Sequence, residues 1–470
     1  MTFHYQSAEE IGQAYRTSDV TPIDVTESLL SRIEQIDREL LSYATVMRDQ
    51  ALEEAEAATR MLKDGKDLGA LHGIPIAVKD LCYTKGTKTM GGTAVLEDFV
   101  PDFDSTVVSK LKSAGAVLLG KLNLTEGAMG GYNPRRQAPK NPWNFSKWAG
   151  SSSSGSGSAT AAGLCTGSLG SDTGGSIRFP SAACGIVGIK PTYGRVSRYG
   201  VLDLAQSLDH VGPMTRNVVD AAIILNAISG LDENDATTRA SQPVSVDEIK
   251  NTDLDGVRIG YDPAYSYDDV DSEIANLVLD TLEVFKDRGA VIVDMEMPTV
   301  EDYLGAWKVL RSAEAFDAHS AHYPSRSEDY GLWFKGWLEN GAEVSAVDYI
   351  AANNDRIKCN TLISEAFSEI DAMICPSTIN FPHEVDDSVH YGPMDSMRGT
   401  SFQRFTVPFD YNGYPTISLP CGFGSQGMPA SLQLVGKPLS EELICKIAYS
   451  YESSTAVSYT HLTLPTICSV

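Results

Sequence analysis

A run of glycine, serine and other small residues from 150 to 178 constrains this chain more than any other feature of its sequence. It is GSSSSGSGSATAAGLCTGSLGSDTGGSIR, with almost no charge and no aromatic residue. Glycine lets the backbone approach a ligand closely, and serine hydroxyls act as nucleophiles when a base lies within reach. A flexible linker would have a similar composition. The apolar, turn-rich flanks, NPWN before it and RFPSAACGIVGIKPTYG after it, favour a folded core instead.

The overall composition excludes several classes of protein. Of the 470 residues, 42% are apolar and 21% charged, which is typical of a globular chain. The net charge of −25 repels phosphate and anionic lipid, so we expect no direct nucleic-acid partner. We also expect no membrane association, because no apolar stretch is long enough to span a bilayer and the N-terminus does not resemble a secretory signal. The eight cysteines form no CxxC pair, which predicts no metal site, no disulfide framework and a reduced, cytoplasmic protein.

Hydrophobic spacing predicts a chain in which helices and strands alternate. Thr21-Pro22 predicts the start of a helix, because threonine caps helices and proline suits their first turn. LHGIPIAVKD (71–80) predicts a short buried strand. A strand at 256–262, a helix at 272–288 and a strand at 290–294 follow in the β-α-β order that implies parallel pairing.

The second half of the chain contains an aromatic segment and ends in an unusual tail. The segment from about 299 to 345 predicts a cap over a pocket, with a helical hairpin packed on the core as the alternative. No internal repeat and no clear linker interrupts the chain, so we expect one α/β domain over residues 1–452. Residues 453–470 (SSTAVSYTHLTLPTICSV) are rich in serine and threonine and lack a helical period. We interpret them as non-native, vector-derived sequence and exclude them from the fold and the site.

Several familiar kinds of site fit the sequence poorly. None of the eight histidines lies in a recognisable catalytic context, and no GxSxG elbow surrounds a serine, which argues against a Ser-His-Asp triad. GLCTG (163–167) fits a cysteine elbow around Cys165, but its small apolar neighbours favour a buried, packed cysteine. No GKS or GKT closes the glycine-rich run, so it does not match a phosphate-binding loop.

Three motifs instead resemble those of a known family. They contain Lys79 in GIPIAVKD, Ser152 in GSSSSGSGSA and Ser176 in GSDTGGSIRFPSAACGIVGIKPTYG. In this order and spacing they resemble the amidase signature family, and the likeness runs from about residue 5 to residue 452, with the core motifs in 71–215. The resemblance implies an α/β fold in which a large mixed, mostly parallel β-sheet is covered by helices on both sides.

The resemblance also implies a role for each of these side chains. Ser176 is the nucleophile, Ser152 is a bridging serine held by a cis peptide, and Lys79 is the base. Ser151 stands where the family usually has a glycine, which leaves Ser153 open as the bridging residue, although the separation of 24 residues from Ser176 favours Ser152. The lysine accepts a proton only when it is neutral, and burial in an apolar strand lowers a lysine pKa.

Two further groups of residues are expected around these three. Backbone amides of the nucleophile loop would donate to the oxyanion that forms during acyl transfer. The residues of this expected oxyanion hole are Thr173, Gly174, Gly175 and Ser176. Met129, Gly130 and Gly131 resemble the family loop that lines the acyl pocket, with a plain turn as the alternative. We expect Asp172 and Arg178 to be structural, and the reaction to need water but neither a metal nor another cofactor.

The resemblance leaves the substrate open between several classes. The family includes free-standing amidases, fatty-acid amide hydrolases and the glutaminase component of tRNA-dependent amidotransferases. Where that component has an acidic residue for the glutamine amine, this chain has Gln403-Arg404, and where it has an arginine-bearing helix, this chain has GLWFKGW (331–337). Both differences favour aliphatic or aryl amides and anilides, with carbamates (urethanes) and esters as further substrates. An inactive scaffold and the amidotransferase glutaminase are the alternatives, and a homodimer is left open.

Overall fold

An eleven-stranded mixed sheet forms the centre of the protein in a computed structural model that describes residues 3–17, 20–394 and 403–456. Its strands lie in the order β1-β3-β2-β4-β6-β5-β10-β11-β9-β7-β8. The strands are β1 Tyr43–Val46, β2 Pro75–Lys79, β3 Val117–Leu122, β4 Gly167–Asp172, β5 Val187–Lys190, β6 His210–Thr215, β7 Arg258–Tyr261, β8 Val291–Asp294, β9 Ala372–Pro376, β10 Thr416–Phe423 and β11 Pro429–Gly436.

Helices connect most of these strands. They are α1 Ala8–Thr17, α2 Pro22–Leu40, α3 Arg48–Lys63, α4 Thr106–Ser113, α5 Ser154–Ala161, α6 Arg178–Cys184, α7 Val218–Ile228, α8 Val246–Lys250, α9 Pro263–Tyr267, α10 Ser272–Asp287, α11 Leu304–Ala318, α12 Leu332–Glu343, α13 Ala346–Ala366, α14 Asp387–Tyr391, α15 Val407–Tyr411 and α16 Glu441–Ser454. Among the described residues, no helix combines the length and the apolar character needed to cross a membrane.

The sheet is mixed, as expected, but it is not mostly parallel. Parallel pairing is confined to its two ends, where β2 pairs with β3 and β4 and where β7 pairs with β8 and β9. Six of the ten strand pairings are antiparallel. The prediction of a mostly parallel sheet is therefore wrong. The physical reason lies in the centre, where β10 and β11 follow each other through a tight turn that permits only antiparallel pairing.

Side chains on both faces of the sheet pack against helices. Glycines of β4 illustrate this, because residues three apart on a strand point to opposite faces. A Cβ on Gly167 would lie 2.6 Å from Ile224 of α7, whereas one on Gly170 would lie 3.0 Å from Ser153 and 3.1 Å from Ile177. The expected α/β fold, with a sheet between two layers of helices, is confirmed.

Local signals placed several helices correctly. Thr21 caps α2, its side chain accepting from the Asp24 amide while the Asp24 carboxylate accepts from the Thr21 amide, and Pro22 follows in the first turn. The aromatic segment is largely helical, since α11 and α12 form an antiparallel pair that packs together. Of the proposed non-native tail, Ser453 and Ser454 belong to α16, and residues 457–470 lie outside the described part of the chain.

Strand β2 brings a lysine into the interior. All five of its residues are buried, and it lies between β3 and β4, parallel to both. Lys79 is the last residue of β2, so its side chain leaves the sheet near the carboxyl end of β4. The glycine- and serine-rich run continues from that end. The parallel register thus brings a buried amine to the segment that carries the serines.

A buried ion pair ties the last helix to the loop after β5. Glu441 of α16 accepts from Arg195 at 2.7 Å and from the Thr192 amide at 2.8 Å, and both charged side chains are almost fully buried. We expect Glu441→Ala to lower the free energy of unfolding by about 3–5 kcal/mol, because it leaves the Arg195 charge buried without its partner. Urea denaturation measures this loss.

The matched control is the exposed pair of Arg60 and Glu56 on α3, which are 67% and 57% exposed. Glu56→Ala should change the free energy of unfolding by less than about 0.5 kcal/mol. Equal effects of the two substitutions would contradict a stabilising role for the buried pair.

Candidate active site

The amine of Lys79 lies among three serine hydroxyls and no carboxylate. Its Nζ donates to Ser152 Oγ at 2.7 Å, to Ser171 Oγ at 2.8 Å and to Ser153 Oγ at 2.9 Å. The side chain is fully buried. Burial lowers the pKa of Lys79 to about 7, although the carboxylates of Asp172 and Asp209 oppose that shift. A substantial fraction of this lysine is therefore neutral at neutral pH and can accept a proton.

Ser152 and Ser153 differ in what else their hydroxyls contact. Ser153 Oγ donates to the Ser171 carbonyl at 3.2 Å and accepts from the Ser171 amide at 3.2 Å, so its bonding capacity is used. Among the described residues, Ser152 Oγ has no hydrogen-bond partner besides Lys79. The peptide bond between Ser151 and Ser152 is cis. Of the two serines left open by the sequence, Ser152 is the one whose hydroxyl remains available to a second group.

Ser176 lies on the loop between β4 and α6, next to the segment that contains Ser152. The Ser153 amide donates to the Ser176 carbonyl at 3.3 Å, which ties the two segments together. Ser176 is partly exposed and lines a large cavity, whereas Ser152 is 1% exposed. The structure thus brings Lys79 and Ser152 into direct contact, and Ser176 lies on the adjoining segment at the cavity wall.

The carboxylate of Asp172 shapes the nucleophile loop. It accepts from the Gly175 amide at 2.6 Å and from the Ile177 amide at 2.9 Å, and it pairs with Arg178 at 2.9 Å. Burial by itself would raise the pKa of Asp172, but Arg178 and these amides hold it well below its usual range. Asp172 and Arg178 are structural here, as the sequence indicated.

One predicted oxyanion donor is therefore occupied. The Gly175 amide is bound to Asp172, and Gly175 does not line the cavity, which argues against this residue as a donor to the oxyanion. Thr173, Gly174 and Ser176 do line the cavity. Among the described residues, their amides have no protein acceptor. These three amides remain as candidate donors to an oxyanion.

Arg178 connects the nucleophile loop to the segment that contains α15. Its guanidinium donates to Asp410 at 2.7 Å and to the Thr406 carbonyl at 2.9 Å, and the Thr406 hydroxyl donates back to the Gly174 carbonyl at 2.8 Å. These groups are fully or almost fully buried. Hydrogen bonds through Asp172, Arg178 and Thr406 thus hold the nucleophile loop and keep its amides in one orientation.

The cavity above Ser176 has a volume of about 820 Å³, and its mixed wall includes six aromatic side chains. The aromatic residues that line it are Tyr132, Trp148, Phe179, Trp307, Trp333 and Phe381. Two of them, Trp307 and Trp333, come from the helical pair α11 and α12, so the aromatic segment both forms a helical hairpin and contributes to the pocket wall. A cavity of this kind accepts an organic substrate with apolar parts.

Met129, Gly130 and Gly131 also line the cavity. Gly131 has φ +64°, and a Cβ at this position would lie 2.6 Å from the Cβ of Trp333. Glycine is needed here because the backbone turns left-handed directly against an indole side chain. All three residues of the predicted pocket loop therefore belong to the wall of this cavity.

Sequence reasoning missed several residues of this site. Ser171 as a partner of the lysine was not identified, although it belongs to the glycine- and serine-rich run, and Ser153 was considered only as an alternative bridging residue. Arg311, which lines the cavity and carries a buried charge, was missed as well. The available signal was its spacing of four residues from Trp307, which puts both on the same face of α11.

Other candidates lie elsewhere. Cys165 is fully buried, does not line the cavity, and has its pKa raised to about 11 by burial. Lys190 is also buried and its pKa is lowered to about 7 by burial, but it donates to the Pro191 carbonyl rather than to a serine. In the described ranges, no cluster of three or more His, Cys, Asp or Glu side chains is suited to a metal ion.

Comparisons with known proteins agree with the motifs. The family model described as Amidase matches residues 24–445. The chain is 39% identical over 455 residues to the protein AmiD of Mycobacterium tuberculosis (strain ATCC 25618 / H37Rv), covering 95% of this chain and 93% of that protein. It is 35% identical over 486 residues to the A component of the glutamyl-tRNA(Gln) amidotransferase of Carboxydothermus hydrogenoformans, covering 97% and 98%.

A solved structure gives the same result for the fold. The peptide amidase from Stenotrophomonas maltophilia superposes with a TM-score of 0.81 at 28% identity, covering 96% of this chain and 97% of that one. With the family match over most of the chain and these relatives, the protein belongs to the amidase signature family.

Proposed function

We propose that this protein hydrolyses the C–N bond of amides through a covalent acyl-enzyme on Ser176. The observation that carries the proposal is the buried amine of Lys79, 2.7 Å from Ser152, with a pKa lowered to about 7. A neutral amine in contact with a hydroxyl chain is a base suited to activating a serine.

The proposed steps follow from these positions. Ser176 Oγ attacks the carbonyl carbon while its proton passes to Ser152 and the Ser152 proton passes to Lys79. The amides of Thr173, Gly174 and Ser176 donate to the oxyanion. The intermediate collapses as the C–N bond breaks, and the proton returns through Ser152 to the departing amine. Water then attacks the acyl-enzyme by the same route and releases the acid.

The cavity supports a substrate with apolar or aromatic parts. Its volume of about 820 Å³ and its aromatic wall suit aliphatic or aryl amides and anilides. Carbamates and esters present a carbonyl to the same serine and are proposed as further substrates, which would make the enzyme a urethanase as well as an amidase. The proposed assembly is a free-standing enzyme acting on small molecules.

A glutaminase role is the second candidate, because the chain is 35% identical to the A component of an amidotransferase. Three residues favour the amidase. Gln403 lines the cavity but carries no charge to bind an ammonium group, and Arg404 points elsewhere, donating to the Tyr265 carbonyl at 2.9 Å. Lys335 of α12 pairs with Glu328 at the surface and does not line the cavity.

The first test is Ser176→Ala with a panel of primary amide, anilide, carbamate, ester and glutamine. We expect kcat on the preferred amide to fall by about 10⁴- to 10⁶-fold, because the proposed acyl-enzyme bond forms on the hydroxyl that this substitution removes. Ser109→Ala, on the exposed face of α4, is the matched control and should retain full activity. Circular dichroism checks that both variants fold.

Three results would contradict the proposal. Turnover retained by Ser176→Ala would reject this nucleophile. A preference for glutamine over every other substrate, with binding to a second protein chain, would favour the amidotransferase. An unsubstituted protein inactive on the whole panel would favour the inactive scaffold.

The second test is the pH profile of kcat/KM. Lys79 must be neutral to accept the proton, so activity should rise with pH and reach half its limit near the lysine pKa of about 7. A neutral anilide, measured from about pH 5 to about pH 9, avoids titration of the substrate. A flat or falling profile across this range would contradict the role of Lys79.

A further inference from the structure

Arg311 carries a buried charge at the cavity wall without an acidic partner. It lies on α11, lines the cavity and is 4% exposed. Its Cζ is 3.6 Å from the ring centroid of Trp307 and 3.9 Å from that of Trp337, so the guanidinium lies between two indole faces. Its Nε and Nη2 have no hydrogen-bond partner among the described residues, and no carboxylate there forms an ion pair with it.

Such an arrangement is unstable unless something balances the charge. Arginine does not lose its proton under physiological conditions, so the charge stays. A buried charge without a partner is strongly destabilising, and attraction to aromatic faces offsets only part of that cost. Burial lowers the pKa of Arg311, because no nearby carboxylate among the described residues offsets the loss of water around its charge. An anion in the cavity would supply that opposite charge.

The neighbouring unpaired groups are donors as well. Trp333 and Trp337 each have a buried indole N–H without an acceptor among the described residues, and Trp333 lines the cavity. The acidic residues of the cavity wall do not compensate for this. Glu273 accepts from the Ser425 amide and hydroxyl, and Asp271 accepts from the Glu273 amide. Gln403 Oε1, also on the cavity wall, is a buried acceptor without a partner among the described residues, but it carries no charge. A carboxylate would supply both the negative charge and the acceptors that Arg311 and Trp333 lack.

Arg311 is also close to the proposed reaction centre. Trp307 lies one helical turn before it, and the Trp307 indole donates to the Thr173 carbonyl at 2.8 Å. A Cβ on Gly174 would lie 2.3 Å from the same indole. One aromatic ring thus separates the guanidinium from the loop of candidate oxyanion donors. A group bound to Arg311 would be a few bonds from the carbonyl under attack.

We propose that Arg311 binds a carboxylate of the substrate, carried a few bonds from the scissile carbonyl. The proposal rests on the amidase function above and narrows its substrate class to amides that combine an apolar part with one carboxylate. The carboxylate could belong to the acyl part, as in a monoamide of a dicarboxylic acid, or to the leaving group, as in an N-acyl amino acid. Glutamine carries an ammonium group in addition to a carboxylate, and the uncharged Gln403 side chain provides no ionic partner for that group.

The test compares substrates that differ only in the charge. Succinamate and succinamide, and glutaramate and glutaramide, are compared by ammonia release, and N-acetylglycine and its N-methylamide by acetate release. We expect the charged member of one series to have a kcat/KM higher by about tenfold to hundredfold, the range of a hydrogen bond to a charged group. The series that shows this preference identifies the side of the scissile bond that carries the carboxylate. Glutamine, compared with glutaramate, tests the effect of the added ammonium.

Variants then assign the preference to Arg311. Arg311→Gln should reduce the ratio of kcat/KM for the charged substrate to kcat/KM for the neutral one to about one. Arg311→Lys should retain part of the preference, since lysine keeps the charge but not the planar fork of the guanidinium. Arg60→Gln, on the exposed surface of α3, is the matched control and should keep the full ratio. The inference would be overturned if the unsubstituted enzyme had equal kcat/KM for charged and neutral substrates, or if Arg311→Gln kept the same preference as the unsubstituted enzyme.

A binding measurement separates this inference from the proposed function. In the Ser176→Ala background, succinate should raise the melting temperature more than succinamide does, and adding Arg311→Gln should remove the difference. Equal shifts by the two ligands would overturn the inference even if amide hydrolysis is established. An inactive enzyme that still shows the difference would overturn the proposed function and leave the carboxylate site standing. If Arg311→Gln does not fold, Arg311→Lys and the two ligands on Ser176→Ala alone decide the result.

Discussion

The contact between an uncharged amine and a set of hydroxyls is the interaction on which the site depends. A lysine that ends a strand is usually solvated and charged, and here it is enclosed by Ser152, Ser153 and Ser171. Hydroxyls can accept from an amine, and they can also donate to it, without stabilising the cation as a carboxylate would. Lys79 is therefore held in place without being fixed as a cation.

A second set of charges supports the loop without entering the cavity. Asp172, Arg178 and Asp410 are fully buried and bind each other and the backbone of the nucleophile loop. Charged groups of this kind are costly to bury, but each amide that they bind is fixed in direction. The two sets of charges therefore have different roles. The paired charges of Asp172, Arg178 and Asp410 make the nucleophile loop rigid, whereas the Lys79 amine has no ionic partner among the described residues and can change its protonation state.

Much of this arrangement was predictable from the sequence. Lys79, Ser152 and Ser176 came from the resemblance of three motifs to those of the amidase signature family, and the pocket loop at Met129–Gly131 came from the same resemblance. The choice between Ser152 and Ser153 needed coordinates, because adjacent serines differ only in which hydroxyl the Ser171 backbone binds. The occupied amide of Gly175 had no sequence signal, since it depends on where the Asp172 carboxylate points.

Contacts between distant segments were the hardest to foresee. The antiparallel centre of the sheet depends on which strands become neighbours, and strand order is not visible in hydrophobic spacing. Arg311 lies between two tryptophans, and the one on α12 becomes its neighbour only through the packing of two helices.

The hydrogen bond from the Trp307 indole to the Thr173 carbonyl joins two segments that are far apart in the sequence, α11 and the nucleophile loop. One stretch carries the reactive serine, and the other forms the lining that meets the substrate. A substitution in the cavity wall that moves Trp307 would therefore also move the nucleophile loop, so it would change substrate selectivity and kcat together. A graft of the α11 and α12 hairpin between relatives would have to carry this indole with it.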